Sequence, residues 1–301
     1  MDRRKFLKSA LLAGAGISAG HGLDFLIKAA DATDAVDIVA VRGTSPTAIT
    51  TSAVAALGGM KRFVTRGDIV VVKPNIGWDR TPEQAANTNP EVVATIINLC
   101  YEAGARKVKV FDRTVNDARR CYEQSGIAAS AKAAGAEVTF IDNRKFQDIR
   151  LDGLALKTWP LYTEILEADK VINVPIAKTH GLAGLTLGMK NWMGVMGGWR
   201  VRIHQKLDKS LVDVAHVIKP ALIVLDAVRI LTANGPQGGN LNDVTKLNTV
   251  IAGTDQVAVD SYGVTLFGRK GEDLGAVKIA DSVGLGIMDL SKLRIKEIAF
   301  S

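Results

Sequence analysis

Residues 68–75 read Asp68-Ile69-Val70-Val71-Val72-Lys73-Pro74-Asn75, and residues 89–111 complete the unit they begin: Asn89-Pro90, an apolar-periodic run to Ala103, Gly104, then Lys107-Val108-Lys109-Val110-Phe111. An unbroken β-branched run predicts a buried strand over Asp68–Lys73, because branched side chains pack well on a pleated surface. The next run predicts a helix over Pro90–Ala103. Asn89 suits the cap, Pro90 the first helical position, and Val92, Val93, Ile96, Ile97 and Cys100 fall on one face, with Gly104 as terminator. A second strand follows at Lys107–Phe111. Strand, helix and strand in this order form a βαβ unit, which belongs to a parallel sheet.

The same alternation extends in both directions. Further strands are expected at Val36–Val41, Glu137–Ile141, Lys170–Val174, Ala221–Leu225 and Thr249–Ala252. Helices are expected at Thr47–Arg62, Asp117–Ala134, Leu161–Glu167, Ser210–Ile218 and Asp255–Phe267. The fold class is therefore α/β: a mostly parallel sheet with flanking helices, doubly wound and Rossmann-like. No repeat of 20–50 residues and no low-complexity linker divides the chain.

Composition agrees with a packed aliphatic interior: of 301 residues, 47% are hydrophobic and only 5% aromatic, which excludes disordered and collagen-like chains. Cys100 and Cys121 are the only cysteines and form no C-x-x-C pair, so the chain's own cysteines hold neither zinc nor an iron–sulfur cluster. Cys100 is read as a buried thiol on a helix face and Cys121 as incidental.

The first residues carry an address. Asp2-Arg3-Arg4-Lys5-Phe6-Leu7-Lys8, the small-apolar run Ala10–Gly20 and Ala30-Asp31-Ala32 resemble a twin-arginine export signal cleaved near Ala32. The resemblance implies export in the folded state through the twin-arginine translocase to the periplasm, often with a cofactor already inserted. The apolar run is too short for a permanent membrane anchor. Gly14-Ala15-Gly16-Ile17-Ser18-Ala19 matches a dinucleotide fingerprint but lacks the strand that must precede one. The organisation is then 1–32 signal and 33–301 one α/β domain, with room for two sub-lobes. Losing residues 1–32 lowers the net charge from +7 to +5. That mild excess, with no basic run interleaved with aromatics, gives no nucleic-acid surface.

The chemistry concentrates at strand exits, where open α/β sheets bind their ligands. Lys73 and Asn75 close one strand, and Asn173-Val174-Pro175 closes another, followed by Lys178-Thr179-His180. If these two exits lie side by side, their lysines and amides suit a carboxylate, phosphate or other anion. The glycine-rich stretch 175–209 contains Lys190, Asn191 and His204 besides Lys178 and His180, and it is the expected active region. His180 and His204 suit acid–base work or metal ligation, since a neutral imidazole does both near pH 7. His216, inside a helical run, reads as a structural histidine. Asp226 ends a further strand and would orient an imidazole or lysine, or cap a turn; Asn234-Gly235-Pro236 follows in a turn-rich loop. Asp255 is either a ligand-binding residue or a helix N-cap. Trp192 and Trp199 are read as pocket wall or core.

These motifs resemble the domain-of-unknown-function 362 family: Lys73-Pro74-Asn75, Thr88-Asn89-Pro90-Glu91-Val92-Val93, Asn173-Val174-Pro175 with Lys178-Thr179-His180, Gly188-Met189-Lys190-Asn191, Asp226 with Asn234-Gly235-Pro236, and Asp255 with Asp260. Some members carry ferredoxin-like cysteine clusters that are absent here, which points to a redox partner rather than a cluster of the chain's own. The segment from His180 to Lys190 is also similar to the H-x-x-A-G-x-S-x-G-x-K segment of nickel-pincer lactate racemases. That resemblance implies Lys190 as the tether of a nickel-bearing pyridinium nucleotide, His180 as a catalytic or ligand histidine and His204 as a nickel ligand. The racemases' D-x-T-R-P segment has no counterpart; Lys73-Pro74-Asn75 stands at a comparable strand exit. Two functions follow from the residues. One is an exported oxidoreductase, racemase or epimerase acting on a small anionic substrate, with catalytic His180, Lys190, His204, Lys178 and Asp226. The other is a non-catalytic periplasmic module holding a ligand or a partner's cofactor in the same crevice, with Lys73, Asn75, Asn173, Asn191, Asn234, Gly235 and Asp255 as binding residues in either case.

Overall fold

The computed structural model describes residues 36–300. The export signal expected over 1–32, and with it Gly14–Ala19, lies outside the described residues. In chain order the elements are β1 (Ile38–Arg42), α1 (Pro46–Ala56), β2 (Ile69–Pro74), α2 (Pro90–Glu102), β3 (Lys107–Val110), α3 (Ala118–Gln124), α4 (Ile127–Ala133) and β4 (Glu137–Val138). There follow β5 (Phe146–Arg150), β6 (Thr158–Tyr162), α5 (Thr163–Glu167), β7 (Lys170–Val174), β8 (Ile176–His180), β9 (Gly184–Thr186), α6 (Gly188–Asn191) and α7 (Leu207–Val217). The chain closes with β10 (Leu222–Leu231), β11 (Val244–Gly253), α8 (Gln256–Thr265), α9 (Gly275–Ser282) and β12 (Ile295–Ala299).

The sheet runs β12-β1-β11-β10-β7-β2-β3-β4. From β10 to β4 every pairing is parallel, and only β11 on this path runs against the rest, so the sheet is mixed but mostly parallel. Strand residues alternate between two apolar layers. Val70, Val72, Ile172, Val174, Leu222 and Val224 pack with α1 to α4, whereas Val71, Val171, Ile223 and Leu225 pack with α5 and α7 to α9. Helices on both faces are what a doubly wound sheet requires.

Helix α2 forms as its pattern predicts: Asn89 accepts from the Glu91 N–H, and Val92, Val93, Ile96, Ile97 and Cys100 are all fully buried. Thirteen residues make a marginal helix in water, so its stability comes from that face, at about 1.5–3 kcal/mol per buried side chain. Several elements differ from expectation: the helix expected over Thr47–Arg62 closes at Ala56, the strand expected over Glu137–Ile141 is only Glu137–Val138, and the one expected over Thr249–Ala252 starts at Val244. The helix expected over Asp117–Ala134 is broken at Ser125-Gly126, where Gly126 takes a left-handed conformation. Leu161 and Tyr162 belong to β6, paired antiparallel with β5, and only Thr163–Glu167 is helical. The strand expected at Ala221–Leu225 continues to Leu231, because β8 pairs its distal half. The C-terminal β12 adds to β1 at the sheet edge.

Pro175 explains how β8 arises. It separates β7, which pairs with the start of β10, from β8, which continues parallel along the same strand. The Pro175 carbonyl accepts from the Asp226 N–H at 2.8 Å, so the chain stays on β10 while leaving the main sheet. His180 then turns back through the short antiparallel strand β9 into α6. Among the described residues no helix is long and apolar enough to cross a membrane.

Candidate active site

Lys73 and Asn173 lie opposite each other in the register of β2 and β7, fully buried on the same face as Val71 and Val171. The two strand exits are therefore neighbours. Asn191 joins them: its amide nitrogen donates to the Lys73 carbonyl at 3.1 Å and to Asn173 Oδ1 at 2.8 Å. Asn75 donates to Asn191 Oδ1 at 3.1 Å, and Asn173 donates to the Gly188 carbonyl at 3.0 Å. Lys178 donates to Asn75 Oδ1 at 3.2 Å and to the Ala86 carbonyl. Lys73, Asn75, Asn173, Lys178 and Asn191 thus form one buried polar network, and each amide has partners enough to justify its burial.

A third strand exit completes this floor. Asp112 follows β3, and its Oδ1 lies 2.9 Å from Lys73 Nζ while Oδ2 accepts from the Ile76 N–H at 2.6 Å. Burial lowers the Lys73 pKa and Asp112 opposes that shift. Gly194 is fixed by this pair, since a Cβ there would overlap Asp112 Oδ1 and crowd Lys73 Nζ. Sequence reasoning missed Asp112, although the strand-exit rule that singled out Lys73 and Asn173 applies to it equally.

Above the floor is a cavity of about 400 Å³. Asn75, Asp112, Lys178, His180, Lys190, Asn191, Arg200, His204 and Gly235 line it. Lys190 has Met193 Sδ as its hydrogen-bond partner, at 2.8 Å. Arg200 donates only to the backbone carbonyls of Arg113, Met193 and Thr114, which lock its guanidinium in place. Among the described residues no ion pair involves Lys178, Lys190, Arg113 or Arg200. Burial, with Lys190 and Lys73 nearby and Asp112 opposing, pushes Lys178 down to about 7. Burial and Arg200 bring Lys190 to about 8. Arg113, Lys178, Lys190 and Arg200 outnumber the one lining carboxylate, Asp112, which is paired with Lys73, so the cavity is electropositive, and an anion 4 Å from one such charge gains about 4 kcal/mol at an effective dielectric constant of 20.

The two histidines take opposite hydrogen-bonding roles. His180 Nδ1 accepts from the Leu182 and Ala183 N–H groups, each at 3.2 Å, so its proton sits on Nε2. Burial, with Lys190 and Lys178, holds its pKa down at about 3, and it stays neutral at physiological pH. His204 Nδ1 lies 3.1 Å from the Val201 carbonyl and must donate to it, leaving the Nε2 lone pair open. As a metal ligand through Nε2, His180 does not fit: its proton would have to move to Nδ1, against two N–H donors. His204 fits that role. Among the described residues no three His, Cys, Asp or Glu side chains converge on a metal position.

Three expected site residues stand elsewhere. Asp226 has the strand parity of Leu222 and Val224, so its carboxylate faces α2 and accepts from the Asn89 N–H at 2.7 Å and the Val228 N–H at 2.9 Å. It links β10 to the cap of α2 rather than orienting an imidazole. Asn234 donates to Asp243 Oδ2 at 2.9 Å in an exposed loop outside the cavity lining. Its neighbour Gly235 does reach the cavity, and a Cβ there would overlap the Thr179 carbonyl. Asp255 is the N-cap of α8, accepting from Val257 and Ala258 and also from the Ile287 N–H. Asp260 instead serves the site indirectly: it accepts from the Gly188 and Met189 N–H groups and so holds the segment that carries Lys190. Trp192 is core, donating to Gln256, and Trp199 is 70% exposed; Trp78 is the tryptophan of the cavity wall. His216, read from the sequence as a structural histidine, is instead exposed in the last turn of α7. Cys100 and Cys121 are both free and buried.

Three comparisons bear on this arrangement. A thylakoid-associated protein of Synechocystis sp. is 30% identical over 212 residues, covering 68% of this chain and 64% of its own length. The chain therefore spans somewhat less than two thirds of that relative. Among solved structures, the lactate racemase apoprotein of Thermoanaerobacterium thermosaccharolyticum aligns with a TM-score of 0.49 at 13% identity, over 75% of this chain and 55% of that one. A structural-genomics protein of Thermotoga maritima aligns with a TM-score of 0.46 at 10% identity, over 80% and 60% of the two chains. The match of residues 70–265, which contain the network, the cavity cations and both histidines, to the family described as domain of unknown function (DUF362) establishes that the chain belongs to that family.

Proposed function

We propose that the chain is an α/β enzyme that seats a small organic anion in this cavity and moves a proton on it, in a reaction of the racemase, epimerase or oxidoreductase kind. One observation carries the reading: a cavity whose cations lack acidic partners also holds one imidazole fixed as a donor and one with an open lone pair. Lys178 and Arg200 would seat the anion. His180 stays neutral and donates from Nε2, polarising a carbonyl or carboxylate oxygen without giving up its proton. His204 Nε2 would take the proton, and Lys190, whose pKa near 8 lies close to neutrality, would return one.

A nickel-bearing pyridinium nucleotide would use the Lys190 amine as its tether and the open His204 nitrogen as a ligand, in place of their acid–base roles, and when bound it would supply a hydride acceptor. Folded export through the twin-arginine translocase, on the strength of Arg3-Arg4 and the apolar run behind them, belongs to the same proposal, as does exchange with a redox partner. The test is proton NMR of 2-hydroxy acids incubated with the native-host protein in D₂O. Loss of the 2-H signal that disappears in His204→Gln and Lys190→Met supports the enzyme. Stoichiometric binding with neither exchange, nor interconversion of the 2-hydroxy acid enantiomers, nor formation of the 2-oxo acid selects the non-catalytic module instead.

A further inference from the structure

The wall of the cavity differs from its floor. Trp78, Val115, Leu182, Met193, Val201 and Pro236 line it together with the cations, and three of them are unusually open for aliphatic side chains: Leu182 is 73% exposed, Val201 62% and Val115 59%. They come from three separate segments, the turn after β8, the stretch before α7 and the loop after β3. Their meeting at one cavity is a product of the fold, not of a local apolar run. The cavity volume of about 400 Å³ is in the range of sites that enclose drug-sized ligands. A three-carbon hydroxy acid held by the cationic floor would fill a minor part of it and leave Leu182, Val115 and Val201 in water.

We infer that the ligand of this cavity is an amphipathic anion: a carboxylate head on the cationic floor and an apolar chain or ring running out between Leu182, Val201 and Val115. The inference rests on the anion-binding reading above and specifies its substrate class. A charged head alone does not account for the apolar wall, and an apolar ligand alone does not account for Lys178, Lys190 and Arg200, none of which has an ion-pair partner among the described residues. Each methylene moved fully from water to this wall strengthens binding about fourfold.

The test compares lactate with 2-hydroxyhexanoate by calorimetry at pH 6.5, using the full chain as purified from its native host, with 1-hexanol as the uncharged probe. Three added methylenes give a ceiling of about 60-fold in affinity, and at least tenfold is expected for partial burial. The double variant Leu182→Ser/Val201→Ser changes exposed positions and is expected to cut the ratio of the two affinities to below about threefold. Equal binding of the two acids overturns the amphipathic class and leaves the anion reading standing. A preference that survives the double variant also overturns it, because the chain then lies elsewhere. Hexanol binding as tightly as the six-carbon acid overturns it in favour of a general apolar patch. Binding of none of the three overturns the anion reading itself, and this inference with it.

Discussion

Replacing Lys178 by Met tests the site through stability and binding at once. The buried ammonium titrates near 7 in the folded protein, against 10.5 for an ordinary lysine. Between those values the unfolded chain holds a proton that the folded chain has released, so wild-type stability rises with pH across this window. The slope attributable to Lys178 is about 1.4 kcal/mol per pH unit, or about 3–6 °C in Tm for a domain of this size. Lys178→Met removes that component. At pH 6 the variant should match or exceed the wild type, and by pH 9 it should fall behind, having left Asn75 Oδ1 and the Ala86 carbonyl without their donor. Anion affinity moves the other way. At pH 6 the variant lacks a charge-assisted contact worth about 1.5–3 kcal/mol and should bind lactate about 10- to 150-fold more weakly. At pH 9 wild-type Lys178 is neutral and the two proteins converge. Thermal melts and calorimetry at half-unit steps from pH 6 to 9 give both curves. A Tm difference that does not change with pH, or an affinity deficit equal at both ends, would refute the assignment of a buried lysine that titrates in this range and faces the anion.

Three other outcomes are expected. Asp112→Ala strands the buried Lys73 ammonium and should cost about 3–5 kcal/mol in urea unfolding, whereas Lys73→Met/Asp112→Leu should recover most of that; a double variant as unstable as the single would show that the pair is not an isolated electrostatic unit. Gly194→Ala should cost about 1–3 kcal/mol by forcing Asp112 aside, while Gly181→Ala, which meets no neighbouring atom within 4 Å, should stay within about 0.5 kcal/mol of wild type; the same loss at both positions would contradict the packing argument. Nitrogen-15 NMR of the imidazoles should find His180 neutral with its proton on Nε2 from pH 5 to 9, and His204 protonated on Nδ1 when neutral; a His180 that is doubly protonated at pH 5 would remove it as a fixed neutral donor.

The alternation of Ile69–Val72, the Val92–Cys100 face and Lys107–Val110 is a local property of the chain, so strand, helix and parallel crossover could be read directly from residue order. So could the positions of Lys73 and Asn173, because a polar residue ending a buried strand is also a local signal. Their register is not local. That Lys73 stands beside Asn173, that Asp112 arrives from β3 to pair with it, and that Asn191 spans the gap depend on which strands became neighbours. Asp226 looks like Lys73 in the sequence, a charged residue at the end of an apolar strand. Its parity along β10 turns it to the opposite face, and a shift of one residue in a strand reverses the side to which every side chain points. The same limit applies to the histidines. Residue type says that His180 and His204 can carry or accept a proton, but the amides of Leu182 and Ala183 and the carbonyl of Val201 decide which ring nitrogen does so. Burial beside Lys178 and Lys190 then sets the charge of His180, because desolvation and the repulsion of neighbouring cations exist only once the chain has folded.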